Sequence, residues 1–320
     1  MLSLIFSQEN DFTTNEVVEW IDLKGGKFER IGYNSLDKSP KFLFSCDSKQ
    51  SQIQVNSEDI HAAWFRKAFF ISAKNTDSLE ANLEDFLFEE MKEFRKVLYH
   101  SLPYCGVKVL GKNNINFYDV NKMRTLLMAQ SVGLIIPQTI ITNSKEDIVV
   151  FKEQHKKVIS KPLVSPKFLM SEDKQHSFAM YTSLIDDETL EKLDDVVTPC
   201  FIQAYIEKAI ELRVFFCEDK YYSAAIFSQN NNRTLTDFRN YGTAPSEGNK
   251  FVPFKLGKEI QSKLVLLMDL IGLNTGSIDM ILTPIGEYFF LEVNPVGQFG
   301  MISHPCNFFL EEKVASYLTT

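Results

Sequence analysis

"GSIDMILTPIGEYFFLEVNPVGQFG", residues 276–300, reads as two strand-like runs around one pair of breakers, Pro284 and Gly286. Side chains two apart share a face of a strand, so Glu292 and Asn294 look at one spot. With the turn centred between Ile285 and Gly286, Asp279 falls opposite Glu292 on the partner strand. Two carboxylates facing each other across an antiparallel pair repel, and more so between apolar runs such as "IDMIL" and "FFLEV". Something positive is expected between them. The oxygen set of Asp279, Glu292 and Asn294 suits a hard cation such as Mg²⁺, which keeps waters and takes its remaining ligands from phosphates. Acids facing water, or a proton shared between them, would relieve the same repulsion, so the rest of the chain has to decide.

Composition narrows the classes. The chain has 320 residues, 44% hydrophobic and 12% aromatic, enough for a packed core and more than one domain. A formal charge of −8 leaves no basic footprint for a nucleic-acid partner. The cysteines stand singly, without a CxxC pair, so neither a zinc knuckle nor a disulfide framework is expected and a reducing cytoplasm fits. "LVLLMDLIGL" is broken by Asp269 and falls short of the ~20 residues of a membrane span, and the opening Leu2–Phe6 run reads as a strand, not a signal peptide.

Strand and helix signals alternate along the chain, which gives an α/β (α+β) protein in three units. Residues 1–115 form an N-terminal α/β domain. There "LSLIFSQ" is a strand, Thr13 and Glu16 set a capping box for a helix, "KFERIG" and "HAAWFRKAFF" are strands, and a long helix runs from about Ser78 to Tyr99. Residues 116–198 are a central unit: a helix ending at Gly133, a strand starting before Pro137, the helix "SKEDIVVFKEQH", the strand "KVISKPL", and a polar segment from Val164 to about Asp195 that suits a mobile loop plus a short element. Residues 199–320 carry "CFIQAYI", a hairpin turning at Glu218-Asp219, the helix "KEIQSKLVLLMDLIG" and the final hairpin.

Cations to match the anions are Lys122, ahead of a helix, Lys161 at the end of an apolar strand, and Arg239 in "LTDFRNY"; each also admits a plain salt-bridge or snorkelling reading. In "CFIQAYIEKAIELR" the layout is that of a hinge, with backbone for a flat base and Glu211 for ribose hydroxyls. Taken in order from about Asp119 onwards, Lys122, "SKPL", "IQAYI" with "ELRVFF", "TDFRNY", "SIDMIL" and "FLEVNPVGQF" resemble the ATP-grasp superfamily. "ELRVFF…YYSAAIFSQ" followed by "DFR", and an N-terminal strand with "WFRK", look like the microviridin-type graspetide synthetases, which macrocyclise ribosomal peptides. "IFSQENDFTTNEVVEW" looks most like the grasp-with-SPASM maturases of that group.

The resemblance implies an ATP-grasp fold behind a pre-ATP-grasp domain, with ATP and Mg²⁺ as cofactors. It gives Lys122, Lys161, Arg239 and Asn240 to the phosphate side and Gln203, Ala204 and Tyr205 to the adenine hinge. Glu211 falls at the ribose, and Asp279, Glu292 and Asn294 at the metal. Lys161, Arg213 and Arg239 would be catalytic, Arg213 facing the substrate acid beside Glu211, with Arg66 and Lys67 as further candidates. The glycine-rich phosphate loop of many ATP-grasp enzymes is missing from "KPLVSPKFLMSEDKQHSFAMY". The implied activity is an ADP-forming ligase that phosphorylates Asp or Glu side chains of a precursor peptide and joins them to Ser/Thr hydroxyls or Lys amines. Implied partners are that peptide, with a leader and a Thr- and Asp/Glu-rich core, docking near "YYSAAIF", and a second copy of the chain. A ligase adding a free amino acid to a protein or small acid is the alternative.

Overall fold

A computed structural model describes residues 2–35, 40–66, 70–72, 81–111, 120–163, 168–170, 177–179, 182–228 and 249–320. The first unit holds β1 (Leu2–Phe6), α1 (Phe12–Leu23), β2 (Lys27–Ile31), β3 (Tyr33–Ser35), β4 (Phe42–Cys46), β5 (Ser51–Val55), β6 (Glu58–Phe65), β7 (Phe70–Ser72), α2 (Ala81–Ser101) and β8 (Lys108–Leu110). Its main sheet runs β2-β1-β6-β5-β4, with β8 also on β6, while β3 and β7 pair with each other. β1 lies parallel between β2 and β6 and is buried throughout, which is why its sequence is apolar without alternation.

One local expectation fails at α1. The cap is Asp11, whose Oδ1 accepts the Thr14 N–H and the Thr14 hydroxyl, both at 2.9 Å, and no Thr13–Glu16 box closes the helix. An aspartate carries charge to the positive end of the helix and outcompetes a threonine two residues on.

The central unit comprises α3 (Lys122–Ser131), β9 (Thr139–Ser144), α4 (Lys145–His155), β10 (Val158–Lys161), β11 (Phe168–Met170), β12 (Ser177–Ala179), β13 (Ser183–Leu184), α5 (Asp187–Glu191) and β14 (Val196–Ala204). Its antiparallel sheet runs β13-β10-β14-β9. The strand expected before Pro137 starts at Thr139, with only a bridge from Ile135 to Phe289 upstream of the proline. The segment expected as a loop plus a short element contains the paired β11 and β12, then β13 and α5. The expected division near 198 falls inside β14, whose ladder partners β9 and β10 are central.

The last unit is β15 (Ile210–Cys217), β16 (Lys220–Phe227), β17 (Lys250–Phe254), α6 (Lys258–Ile271), β18 (Thr275–Leu282), β19 (Tyr288–Asn294), α7 (Gly300–Ser303) and α8 (Leu310–Thr319). Its sheet runs β17-β16-β15-β18-β19. Glu218 and Asp219 both take positive φ, 46° and 60°, the two-residue primed turn that matches strand twist. β16 is paired with β15 along its length and with β17 from Ser223 to Phe227, so this part of "YYSAAIF" offers a docking peptide no open edge. Leu264, Leu267 and Met268 of α6 are fully buried at helical spacing against this sheet, each contributing about 1.5–3 kcal/mol relative to exposure. The opposite face meets the N-terminal unit: Phe215, Ala224 and Phe299 share one core with Ile5, Trp64, Val17 and the buried side of α8. The two ends of the chain are thus packed together. No helix among the described residues is long and apolar enough to cross a membrane.

Candidate active site

The final hairpin builds one wall. Its turn is Thr283–Glu287, closed by Gly286 N–H to Thr283 O at 3.0 Å and Thr283 N–H to Glu287 O at 2.9 Å, with Gly286 at φ +88° where a side chain would be strained. The turn centres on Ile285, half a residue before the expected point, and Leu282 pairs with Tyr288. A bulge then leaves Leu291 extra, and the register beyond it sets Asp279 opposite Glu292. The expected pairing is present, reached by an unforeseen route. Phe290 and Val293 enter the core, while Leu291 and Glu292 both turn to the cleft.

Arg213 sits opposite Asp279 on the next strand, so Arg213, Asp279 and Glu292 form a row across β15, β18 and β19. Arg213 Nη1 donates to both Asp279 oxygens at 2.7 Å. This guanidinium lies on the side of Asp279 away from Glu292, so it offsets Asp279 but is not the positive group expected between the two carboxylates. Glu292 has no hydrogen-bond or ion-pair partner among the described residues although it is half-buried beside Asp279. Asn294 Oδ1 accepts the Val296 N–H at 3.1 Å, which fixes its amide and leaves a second lone pair. An unpaired carboxylate, a second carboxylate facing it and an oriented amide oxygen make a donor set that fits Mg²⁺.

The opposite wall belongs to the central sheet. A cleft of about 900 Å³, counting the open solvent at its mouth, lies between the walls and is lined by Lys122, Lys161, Gln203, Ala204, Tyr205, Glu211, Asp279 and Glu292. Lys161 Nζ donates to Gln203 Oε1 at 2.9 Å, and Gln203 Nε2 donates to Thr139 Oγ1 at 3.0 Å, so Gln203 steers the lysine. Lys122 Nζ donates to the Pro162 carbonyl at 2.8 Å, bringing the two lysines to one end of the cleft.

At the other end the hinge differs in detail from expectation. The Ala204 and Tyr205 amides donate to the Gln138 and Lys157 carbonyls at 2.9 and 3.0 Å. The next amide, that of Ile206, has no partner among the described residues and lines the cleft. Burial, then the charges of Glu207 and Glu211, push the Tyr205 phenol up. Glu211 is ion-paired to Lys208, both buried. Lys208 was missed; the only sequence signal was its i,i+3 spacing from Glu211 in "EKAIE".

Arg66 is placed elsewhere than a substrate acid would require. It is fully buried, 2% exposed, and its Nη1 donates to the Val296 carbonyl and, at 2.7 Å, to that of Gly297. The guanidinium lies 5.6 Å from the Trp64 ring centre and 5.4 Å from that of Phe299. Arg66 holds the loop behind the hairpin. Lys67, Arg239 and Asn240 lie outside the described residues.

No protein-family model and no curated protein sequence matches the chain. Solved structures do. A Chryseobacterium gregarium RiPP-associated ATP-grasp ligase, in complex with ADP and a leader and core peptide, is 25% identical with a TM-score of 0.80, over 99% of this chain and 95% of that one. The macrocyclase MdnC of Microcystis aeruginosa MRC, bound with precursor peptide MdnA, is 26% identical with a TM-score of 0.77, over 99% of both chains. Macrocyclase MdnB of the same organism is 25% identical with a TM-score of 0.71, over 99% of this chain and 98% of that one.

Proposed function

We infer from this ATP-grasp fold and its cleft that the chain is an ADP-forming peptide ligase and macrocyclase. ATP binds between the two walls, with its base at the hinge and its phosphates towards the lysines. The γ-phosphoryl passes to an Asp or Glu side-chain carboxylate of a ribosomal precursor peptide. A Ser/Thr hydroxyl or a Lys amine then attacks the acylphosphate and releases phosphate, leaving an ω-ester or ω-amide. A bare carboxylate would have to expel oxide, so its oxygen must first leave as phosphate.

The observation that carries the reading is Glu292, a half-buried carboxylate with no partner among the described residues, facing Asp279 in a cleft whose other wall presents Lys122 and Lys161. Asp279, Glu292 and Asn294 would hold Mg²⁺, which neutralises the transferring phosphoryl group. Lys122 and Lys161 meet the phosphates. The Ile206 amide, beside Gln203, Ala204 and Tyr205, serves the base, and Glu211, fixed by Lys208, accepts from the ribose. Arg213 holds Asp279 in place through both its oxygens and counters the charge of the incoming acid. Arg239 and Asn240 complete the phosphate side. The site needs no side-chain nucleophile, because positioning and charge neutralisation suffice for phosphoryl transfer.

The working division is an N-terminal domain to about residue 115, a central subdomain through β14 and a C-terminal subdomain carrying the metal ligands. A cytoplasmic homodimer belongs to the same reading, supported by the resemblance and by five cysteines that are all free. The test is to supply a short Thr- and Asp/Glu-rich peptide encoded beside the gene and to follow nucleotide and peptide mass. Peptide-dependent ADP and phosphate, with loss of one water mass per ring, is expected. AMP and pyrophosphate, or ADP release driven by a free amino acid instead, would overturn it.

A further inference from the structure

Away from the cleft, α1 meets α7 and α8, and three potential metal ligands converge there: Glu16 of α1, His304 directly after α7, and Glu311 of α8. Their ligand atoms lie within 4.8 Å of one another, and no other such group occurs among the described residues. His304 Nε2 is 2.7 Å from Glu16 Oε1 and 3.9 Å from Glu311 Oε1. Glu311 is 4% exposed, and its Oε1, like Glu16 Oε2, is sealed from solvent without a hydrogen bond. Its other oxygen accepts the Ser303 hydroxyl at 2.5 Å, and that hydroxyl in turn accepts the Leu310 N–H at 2.9 Å, which fixes the carboxylate's orientation.

A protonated imidazole alone does not satisfy this group. Its single Nε2–H serves Glu16, and 3.9 Å is too long for a hydrogen bond to Glu311. Two like charges then remain buried side by side, each with an oxygen lacking a donor. Burial, with Glu311's charge adding to it and His304 opposing, already raises the Glu16 carboxyl above its usual range. A buried carboxylate without donor or cation is costly, and a divalent ion supplies both oxygens at once.

We propose that Glu16, His304 and Glu311 bind a Zn²⁺ ion that clamps the first helix to the C-terminal helices. One imidazole nitrogen with two carboxylates favours a borderline ion over Mg²⁺ or Ca²⁺, which prefer oxygen alone. Bond lengths of about 2.0–2.2 Å need only small rotamer shifts from the present separations. Ser303 acts as the outer-sphere group that orients one ligand, as such partners do around metals. His304, with a side chain 58% exposed, leaves the fourth position to water and gives the ion a way in. The clamp follows the loop after Asn294, and none of its three ligands is among the residues that line the ATP cleft. It neither requires nor supports the ligase assignment.

The test uses the full chain, free of affinity tag, stripped of metal and kept in excess Mg²⁺ so that the cleft is occupied. Zn²⁺ is added and followed by equilibrium dialysis and thermal denaturation. One Zn²⁺ retained per chain, with a Tm that climbs as free Zn²⁺ rises, is expected, because ligand binding to the folded state stabilises it by mass action. His304→Ala should fold, since the side chain is exposed, and should lose both the retained ion and the Tm response. No retained Zn²⁺ in the wild type, or equal retention in His304→Ala, would overturn the proposal.

Discussion

Arg66 and Arg213 approach the same stretch of backbone from two sides, and they are held there in different ways. Arg213 donates to both oxygens of Asp279 at 2.7 Å, and its Nη2 reaches towards the Gln298 carbonyl at 3.5 Å. Arg66 holds the Val296 and Gly297 carbonyls, while its nearest carboxylate, Asp11, is 3.6 Å away and is also the cap of α1. Burial, with Arg213's charge adding to it, lowers Arg66 to about 10 despite Asp11, which still leaves it charged at neutral pH. A buried guanidinium facing a carboxylate belongs to an electrostatic device, whereas one facing carbonyls and aromatic rings belongs to a fastening. From sequence the two look alike, each an arginine at or beside an apolar strand.

The largest effect should separate chemistry from fold in the Arg213 row. Glu292→Gln removes a charge that faces Asp279, so peptide-dependent ADP release should drop by about 10²–10³-fold, as when a single preorganised transition-state group is lost. Thermal denaturation should show equal or higher stability, because the facing like charges are gone. A variant that turns over normally would sink the metal assignment.

Next in size is Arg213→Met. It strands Asp279 beside Glu292 and should cost about 3–5 kcal/mol, as for a broken buried pair. Denaturant titration in chelator should show the full loss, and added Mg²⁺ should restore part of it, since the ion replaces the missing positive charge. Arg66→Met should cost about 2–6 kcal/mol, at about 1–3 for each of two carbonyls left without a donor. Its loss should be the same with or without Mg²⁺. If both variants respond alike to Mg²⁺, the contrast between the two arginines collapses.

Gly297→Ala probes the backbone that both arginines touch. Gly297 has φ +60°, and a Cβ there would meet Gly276 Cα at 3.1 Å and Phe215 Cε2 at 3.2 Å. Strain and close contact should cost about 1–3 kcal/mol, read as a fall in Tm.

The sequence was most legible where chemistry is local. Asp279, Glu292 and Asn294 lie within sixteen residues of one hairpin, and alternation with two breakers was enough to bring them together, although the bulge at Leu291 could not be read from residue types. Lys161 beside Gln203, on adjacent strands of one sheet, was not foreseen: both runs read as strands, but the expected division near 198 put them in different units. What stayed hidden joins distant parts of the chain. Arg66 on Val296 and Gly297 spans 230 positions, and Glu16 meets His304 only because the first and last units share a core. Periodicity carries no information on such meetings, since a side chain's partner across a tertiary contact leaves no mark on its own neighbours.

The smallest effects lie at the start of α1, where Asp11 caps the helix and also stands near Arg66. Thr13→Ala should change stability by no more than about 0.5 kcal/mol, because Thr13 is not the cap. Asp11→Ala removes both the cap and the counter-charge, whereas Asp11→Ser keeps a side-chain oxygen for the Thr14 N–H and removes only the charge. The difference between these two variants isolates the cap and should be about 1 kcal/mol. What Asp11→Ser still loses relative to wild type measures what a carboxylate 3.6 Å away contributes to a buried guanidinium already held by two carbonyls. If Arg66 is a fastening, that remainder is the smaller share of the Asp11→Ala loss; if it is the larger, Arg66 depends on a counter-ion just as Arg213 does.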